Sequence, residues 1–433
     1  MSPPNDLVSP PLRDVYRNFM ATMESAQGEW SSPATLKGIG GAVSPRIGST
    51  IDNGSVTTPL MILRDAPLQW NIDLMARYCA DERVDLAPHA KTTMSPQLVG
   101  RQLAAGAWAA TVANTHQART LAGFGVDRLL IANEVVDEGG LRWLAEQTQK
   151  RHGPAVLCYV DSIEGVGLLD ETIGTGYQSV LVEVGHQGGR AGSRGPADVL
   201  SVASAVAKAP NLRLAGVACF EGLLGSATRT ADGIAEVRQF LDNVRAIAED
   251  IANAGLFATE DQIVLTAGGS AYFDQVVEAF RGPLGTAEPR IVLRSGCYVT
   301  HDHGVYEGLT PIKAARGFRP ALRLIATVLS RPERDLAILD FGKRDAPYDA
   351  GLAIPLTIRP RRTGDVAPAS GMTVRAVNDQ HAFMSLDSAE QNVAVGDRME
   401  FGISHPCTAF DKWRVMPILD DENRIIEVIH TYF

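Results

Sequence analysis

Residues 86–94 have the sequence Leu86-Ala87-Pro88-His89-Ala90-Lys91-Thr92-Thr93-Met94, and they indicate how the rest of the chain folds. The apolar residues before Pro88 are typical of a buried strand that ends at the proline. Ser95 and Pro96 then have the pattern of a helix N-cap followed by a first-turn proline. Lys91 therefore lies just beyond the carboxyl end of a predicted strand, where parallel α/β folds place their reacting groups.

A lysine at such a position has two interpretations. If its surroundings exclude water, it loses its proton readily and can form a Schiff base with a carbonyl compound. If it is solvated, it is an ordinary loop lysine. The segment around Lys91 is compatible with both, so the rest of the chain has to distinguish them.

Short apolar strands alternate with amphipathic helices on both sides of Lys91. The predicted strands are 60–64, 84–87, 109–112, 128–132, 155–160, 179–184, 214–219, 262–266 and 290–293. The predicted helices between them are 66–81, 95–105, 115–123, 140–151, 163–170, 196–209 and 229–254. Strands and helices at this spacing predict parallel βαβ units, and eight such units close a (β/α)8 TIM-type barrel.

The pattern changes after about residue 310. Strands bounded by Gly, Pro and Asp turns are predicted at 322–330, 336–340, 372–377, 382–385, 398–402, 415–419 and 425–432. No segment with helical periodicity separates them, which predicts an all-β second domain. Residues 1–55 are Pro-rich and then Gly- and Ser-rich, and they predict an arm with one helix over 12–27 that packs on the β-domain or on a partner subunit. The predicted domains are therefore 1–55, 56–310 and 311–433.

Composition limits the class of protein. A chain of 433 residues with 45% hydrophobic residues supplies cores for two or three domains. The net charge of -10 argues against nucleic-acid binding, which requires a basic face. No apolar stretch is long enough to span a membrane, and the N-terminus lacks the pattern of a secretory signal. The five cysteines are odd in number and have no paired spacing, so we expect a reduced, cytoplasmic protein.

A glycine pair follows one of the last barrel strands. The segment is Thr266-Ala267-Gly268-Gly269-Ser270. Glycines allow backbone N–H groups to converge on an anion, and the Thr and Ser hydroxyls add donors. Because phosphate loops of barrels favour the last strands, this segment predicts a phosphate cradle. Without a lysine upstream, a plain turn would explain it equally well.

His405 and Cys407 are separated by one residue in a predicted extended segment, so their side chains would project to the same face. An imidazole and a thiolate together suit zinc. Structural zinc normally takes four protein ligands, whereas two leave positions for water and substrate. A core cysteine beside a surface histidine remains the other interpretation of this pair.

Two of these motifs resemble one known family. His-Ala-Lys-Thr followed by Ser-Pro resembles the Schiff-base segment of the fold-type III pyridoxal-phosphate enzymes, which include alanine racemases, D-threonine aldolases and D-serine dehydratases. Residues 404–413, Ser-His-Pro-Cys-Thr-Ala-Phe-Asp-Lys-Trp, resemble the metal segment of the dehydratase and aldolase branch. The resemblance covers roughly residues 56–433. It implies a barrel that carries pyridoxal 5'-phosphate, a C-terminal β-domain as in alanine racemase, and a homodimer.

The resemblance also assigns roles around the cofactor. It implies that Lys91 forms the Schiff base, with His89 close to it, and that Thr266, Gly268, Gly269 and Ser270 hold the phosphate. Residues 294–298, Arg-Ser-Gly-Cys-Tyr, resemble the family's Arg-Pro-Gly-x-Tyr, which makes Gly296 and Tyr298 expected cofactor contacts. Tyr298 could equally be a packed aromatic side chain.

Further resemblances concern the mouth of the barrel. Residues 183–192 are similar to the family's Val-Glu-Val-Asp-x-Gly-x-x-Arg-x-Gly loop, with Gly185 where aspartate is common. This implies that His186 lies beside the cofactor ring and that Arg190 orients it or holds a carboxylate, although a lone histidine is often structural. Candidate substrate-lining residues are Thr115, Asn133 and His381.

The resemblance implies a lyase that depends on pyridoxal phosphate and Zn2+, held by Lys91 and by His405 and Cys407 respectively. The implied reaction is elimination of water from a D-β-hydroxy amino acid such as D-serine or D-threonine, giving a 2-oxo acid and ammonia. The second ligand resembles cysteine in D-serine dehydratases and aspartate in the aldolases, so Cys407 favours a dehydratase, similar to D-serine deaminase-like amino acid deaminases. A D-threonine-type aldolase, a racemase and a non-catalytic pyridoxal-phosphate-binding protein are the alternatives. We expect a small-molecule substrate, with neither nucleic acid nor membrane as a partner.

Overall fold

The chain forms two compact units, each described here by itself. The computed structural model describes residues 47–53, 56–225, 229–259, 263–313, 316–388 and 392–433. The first unit contains Met75–Lys91 and Val99–Gly296, and the second contains the described part of Trp30–Leu74 together with Thr92–Leu98 and Cys297–Phe433. The last segment of the second unit begins at Cys297. The predicted helix 12–27 and most of the predicted arm lie outside the described residues.

The described part of the first unit is a ring of eight parallel strands. After β1 (Leu60–Arg64), which belongs to the second unit, they are β2 (Asp85–Leu86), β3 (Ala110–Val112), β4 (Arg128–Glu134), β5 (Ala155–Val160), β6 (Gln178–Val184), β7 (Leu212–Cys219), β8 (Val264–Ala267) and β9 (Arg290–Leu293). The pairing order is β2-β9-β8-β7-β6-β5-β4-β3. Backbone bonds Trp108 N→Leu86 O (2.7 Å) and Thr111 N→Pro88 O (3.0 Å) join the two ends and close the barrel.

Helices lie between the strands where the apolar periodicity predicts them. They are α1 (Asp65–Glu82), α2 (Pro96–Ala104), α3 (Thr115–Gly123), α4 (Glu138–Gln149), α5 (Ile163–Ile173), α6 (Pro196–Lys208), α7 (Ala231–Asn253), α8 (Phe273–Phe280) and α9 (Val305–Leu309). Ser162 caps α5 as predicted, because its side chain accepts a hydrogen bond from Gly165 N. Helices α8 and α9 were not predicted. None of these helices combines the length and apolar character needed to cross a bilayer.

Inward-facing side chains fill the barrel. One cluster contains Ala87, Ala109, Leu130, Leu157, Tyr159, Leu181, Ala218, Val264 and Val292, with Ala132 packed against it. Because strand side chains alternate between faces, the inward positions next to the carboxyl ends are His89, Glu134, Glu183, Thr266 and Arg294. The barrel core is therefore apolar in its middle and polar at the end where chemistry is expected.

The second unit is built mainly of strands. They are β1, β10 (Leu322–Glu333), β11 (Leu336–Leu339), β12 (Ile354–Arg359), β13 (Ala367–Pro368), β14 (Met372–Val377), β15 (Ala382–Leu386), β16 (Arg398–Gly402), β17 (Val415–Leu419) and β18 (Ile425–His430). The order β13-β12-β16-β10-β1-β17-β18 forms the main path, and β11, β15 and β14 continue from β10. Strand β12 was not predicted, since Pro355 interrupts its pattern.

The placement of β1 corrects one prediction. Residues 60–64 were expected to be the first strand of the barrel. Instead Leu60 pairs antiparallel with Ile325, and Leu63 pairs parallel with Ile418 in the second unit. The apolar run identifies a buried strand correctly, but it contains no information about which sheet the strand joins.

Candidate active site

Lys91 lies in a short 3-10 turn, Ala90–Thr92, directly after β2. The side chain is half-buried, and among the described residues it has no hydrogen-bond or ion-pair partner. His89 is its neighbour in the barrel interior. Burial, followed by the positive charges of Lys91 and Arg294, holds the pKa of His89 well below its ordinary value. His89 is therefore a neutral imidazole at physiological pH and adds no second cation beside Lys91.

Two carboxyl groups face each other in the same polar layer. Burial and the charge of Glu183 raise the pKa of Glu134 to about 8. Burial also raises the pKa of Glu183, while Arg294 and Arg190 oppose that rise. Because two adjacent carboxylates cannot both ionise readily, the pair retains a proton at neutral pH.

Arg294 fixes the last barrel strand against its neighbours. Its Nη1 donates to Thr266 Oγ1 at 2.9 Å and its Nη2 donates to Cys219 O at 2.6 Å. Its guanidinium also lies 5.9 Å from the ring centroid of Tyr159. Thr266 Oγ1 donates in turn to Val292 O at 2.8 Å. The Thr266 hydroxyl proton is thus directed to the backbone rather than to a phosphate.

The glycine loop after β8 already binds an anionic group. Gly268 N and Gly269 N donate to the two carboxylate oxygens of Glu221, at 3.1 and 2.8 Å. Ser295 Oγ donates to the carbonyl oxygens of the same two glycines. Gly268 has φ +92°, and a Cβ there would lie 3.0 Å from a Leu293 methyl group, so only glycine fits. The two amides predicted to hold a phosphate are therefore engaged by Glu221, which leaves Ser270 and the residues after it as donors.

Arg190 and His186 lie at the edge of the barrel mouth. The Arg190 side chain is exposed, and its guanidinium lies 4.5 Å from the ring centroid of Phe220. His186 packs edge-on against Phe240 of α7 with a centroid distance of 5.5 Å, and its Nδ1 lies 3.2 Å from Gln187 O. The structure therefore places His186 against a helix and gives it no contact with Lys91.

Two predicted substrate-lining residues of the barrel take up peripheral positions. Asn133 is exposed and donates to Ala113 O at 3.4 Å. Strand alternation turns it away from the interior and turns the following residue, Glu134, inward. Thr115 is the first residue of α3, and its methyl group would lie 3.1 Å from a Cβ at Gly140. Both residues pack between neighbouring strand ends rather than over the barrel centre.

Tyr298 and His381 also differ from the expectation. Tyr298 is buried and packs against Phe318 with a ring-centroid distance of 5.8 Å, as a packed aromatic side chain does. Gly296, its near neighbour, is the buried last residue of the first unit. His381 is exposed in the tight turn between β14 and β15, where its carbonyl accepts from Asn378 N. No hydrogen bond links it to His405 or Cys407 among the described residues.

A thiol–imidazole cluster forms in the second unit. His405 precedes a 3-10 turn, Pro406–Thr408, so the expected extended segment is wrong: Pro406 at the first position of the turn favours a helical backbone. Cys407 Sγ lies 3.1 Å from Cys297 Sγ, and Cys297 Sγ lies 3.8 Å from Thr92 Oγ1, the residue that follows Lys91 in the chain. The hydrogen bond from Cys407 is the main cause that lowers the pKa of Cys297 to about 7, against the effect of burial.

One residue of this cluster, Asp349, is not predicted from the sequence. Asp349 Oδ2 lies 2.7 Å from His405 Nδ1, and Asp349 Oδ1 accepts from Thr408 Oγ1 at 3.0 Å. These hydrogen bonds hold the pKa of the Asp349 carboxyl below its ordinary value, against the opposing effect of its partial burial. A single aspartate in a loop carries no recognisable motif, so only the three-dimensional contact reveals it.

Comparisons with known proteins agree with this architecture. The family model described as a putative serine dehydratase domain matches residues 321–419, which include His405 and Cys407. A D-threonine aldolase from Arthrobacter sp is 28% identical over 361 residues, which are 82% of this chain and 87% of that protein. The structure of D-threonine aldolase from Filomicrobium marinum has a TM-score of 0.75 at 23% identity, covering 90% of this chain and 98% of the other. The chain is therefore similar in sequence and fold to the fold-type III pyridoxal-phosphate enzymes.

A second solved structure supports the same fold. The D-threo-3-hydroxyaspartate dehydratase from Delftia sp. HT23 has a TM-score of 0.68 at 20% identity, covering 87% of this chain and 98% of that one. The predicted fold class, a (β/α)8 barrel with a mostly β second domain, is confirmed. The polar end of the barrel is the part of the molecule that has to fit the cofactor of these enzymes.

The barrel mouth fits a bound polar molecule. His89 Nδ1, Glu134 Oε1 and Tyr159 Oη are buried and have no hydrogen-bond partner within the described ranges. Buried polar groups are nearly always paired, so unpaired groups just after β2 and on β4 and β5 indicate a missing ligand. They line the barrel interior on the side of Lys91, which is where a fold-type III enzyme carries pyridoxal phosphate.

The fit of a metal ion rests on fewer groups. His405 and Cys407 are the donor types that zinc prefers, and the carboxylate on Nδ1 is the usual outer partner of a metal-bound histidine. Across the residues that the structure describes, no three His, Cys, Asp or Glu side chains are arranged to hold a metal ion together. A metal ion at this place would therefore have His405 and Cys407 as its donors among the described residues.

Proposed function

We propose that this enzyme is a pyridoxal-phosphate- and zinc-dependent lyase that removes water from a D-β-hydroxy amino acid. The products are a 2-oxo acid and ammonia, because the enamine left by elimination takes up the released water on hydrolysis. The observation that carries the proposal is the cysteine at position 407 beside His405, whose imidazole is held by a carboxylate. The match of residues 321–419 to a serine dehydratase domain supports it.

Lys91 supplies the base in this proposal. Bound pyridoxal phosphate acts as an electron sink that acidifies the Cα–H bond of the substrate. Lys91 would hold the cofactor, and its Nζ would act as the base that takes that proton. Neutral His89 assists, because an imidazolium beside Lys91 would oppose a second positive charge.

His405 and Cys407 supply the second function. Hydroxide is a poor leaving group, so the charge that develops on the β-oxygen must be neutralised. A zinc ion held by these two residues acts as a Lewis acid for that oxygen. The thiolate of Cys407 favours zinc over magnesium or manganese, which prefer oxygen ligands. The chain's own part is to provide the two donors and, through Asp349, to direct the imidazole.

Cleavage of the Cα–Cβ bond is the second candidate reaction. The relative from Arthrobacter sp is named a D-threonine aldolase, and an aldolase would use the same cofactor and metal to give glycine and an aldehyde. The cysteine at position 407 favours elimination, since the corresponding ligand of the aldolases resembles aspartate. A racemase requires no metal, and a non-catalytic cofactor carrier requires no second domain, so neither accounts for His405 and Cys407.

A panel of D- and L-β-hydroxy amino acids tests the proposal, with 2-oxo acid, ammonia, aldehyde and glycine measured in each reaction. We expect 2-oxo acid and ammonia from D-substrates only, loss of turnover with a chelator, and recovery with zinc. Absence of any reaction after loading with pyridoxal phosphate and zinc would contradict the proposal. We also propose a homodimer, on the family resemblance alone, which light scattering of the purified protein tests.

A further inference from the structure

The metal segment is held by a neighbouring loop. Three side-chain hydrogen bonds join residues 349–351 to residues 404–408 of the second unit. Asp349 bonds to His405 and to Thr408, and Ser404 Oγ donates to Gly351 O at 2.6 Å. Gly351 has φ +117°, and a Cβ there would lie 3.3 Å from Ser404 Cβ, so the loop approaches the segment closely. Both segments are therefore fixed relative to each other before any ion binds.

The contact between Asp349 and His405 determines which nitrogen of the imidazole ring carries the hydrogen. A carboxylate oxygen 2.7 Å from Nδ1 accepts its hydrogen, so the proton lies on Nδ1. The lone pair of the neutral ring is then on Nε2, which is the nitrogen left for a metal. The other oxygen of Asp349 is occupied by the Thr408 hydroxyl, which prevents the carboxylate from rotating away.

We propose that Asp349 is a positioning residue for the metal centre, and that Thr408 holds Asp349 in place. Asp349 fixes the tautomer and ring orientation of His405 and makes Nε2 a better donor. This inference rests on the proposed function, because it presumes that His405 binds the ion. Asp349 itself touches neither the substrate nor the metal.

An ordinary surface ion pair is the competing explanation of the same contact. The side chains of Asp349 and His405 are 43% and 19% exposed. Exposed pairs contribute little to folding stability. Two features favour a role of Asp349 in positioning His405. Both oxygens of Asp349 accept hydrogen bonds, and the two groups that donate them, on His405 and Thr408, belong to the segment that carries Cys407.

Zinc affinity of the cofactor-loaded enzyme tests the proposal, measured by competition with a chromophoric chelator. Removal of such an outer partner weakens metal binding by about 10- to 100-fold, which we expect for Asp349→Ala. Thr408→Val should weaken zinc binding less than Asp349→Ala does. Asp349→Asn keeps an acceptor for Nδ1 but loses the charge, so its zinc affinity should lie between those of the other two variants. Asp365→Ala, which removes an exposed carboxylate distant in sequence from the segment, is the matched control and should bind zinc as the wild type does.

Two further measurements separate the possible failures. The visible absorbance of lysine-bound cofactor and the unfolding temperature in excess chelator should be the same in Asp349→Ala and wild type, which excludes a general loss of structure. If the wild type binds zinc and Asp349→Ala binds it equally well, the role of Asp349 is refuted while the proposed function stands. If the wild type binds no zinc, both are refuted. If Asp349→Ala does not fold, Asp349→Asn and Thr408→Val still decide the question.

Discussion

The buried carboxyl pair predicts how the stability of the cofactor-free protein depends on pH. The pKa of Glu134 rises from 4.5 to about 8 on folding. Below pH 4.5 Glu134 is protonated in both the folded and the unfolded state, and above about pH 8 it is protonated in neither. In between, only the folded state is protonated, so the free energy of unfolding falls as pH rises, by at most about 1.4 kcal/mol per pH unit. Because Glu134 is only partly buried, solvent screening narrows the pH window in which this slope applies, so about half of the full change in free energy is expected over it.

Glu134→Gln removes this proton difference. Between about pH 5 and pH 7.5, the titration of Glu134 should lower the free energy of unfolding of the wild type by about 1.5–2 kcal/mol. The variant should retain most of that free energy. Urea unfolding of the cofactor-free protein across that range, followed by tryptophan fluorescence, measures the slope. Glu164→Gln on the exposed face of α5 is the control and should keep the wild-type slope. An unchanged slope in Glu134→Gln would refute the assignment of a shared proton to this pair.

Three other predictions concern Lys91 and Cys407, the glycine loop after β8, and the pair of neighbouring cysteines. Lys91→Ala should abolish the visible absorbance of bound cofactor, whereas Cys407→Ala should retain that absorbance and lose turnover. Equal spectra for Lys91→Ala and wild type would contradict a Schiff base at Lys91. Glu221→Gln should weaken pyridoxal-phosphate binding by roughly 10-fold in equilibrium dialysis, since one of two amide–carboxylate bonds becomes weaker; unaltered affinity would show that the glycine loop does not depend on Glu221. The 3.1 Å approach of Cys297 and Cys407 predicts that a low-molecular-weight disulfide oxidises them to one intramolecular disulfide with release of two thiols, detectable by peptide mass mapping and absent in Cys297→Ser.

Local sequence patterns predicted most of the barrel. Apolar runs and helix caps are short-range signals, and Ser162 and Pro196 mark helix starts that the structure confirms. Helix α8 was missed because Tyr272 precedes it without a side-chain cap, so no start signal exists. Strand β1 was assigned to the wrong sheet because its partners lie more than 250 residues away in the chain.

The candidate site was predicted unevenly for the same reason. Lys91 follows from its place after a strand, whereas Asn133, a predicted substrate-lining residue, is exposed and the next residue, Glu134, takes the inward position. Asp349 contacts a segment 56 residues away in the chain, and the sequence spacing contains no trace of that contact. Residues that orient others are therefore the ones that a sequence conceals.

The partition of a single substrate tests the central claim most directly. D-threonine is incubated with the enzyme loaded with pyridoxal phosphate and zinc, and all carbon products are quantified. Elimination assisted by His405 and Cys407 predicts 2-oxobutanoate and ammonia in equal amounts, with both lost in Cys407→Ala. Acetaldehyde and glycine as the products would contradict the account and identify the enzyme as an aldolase.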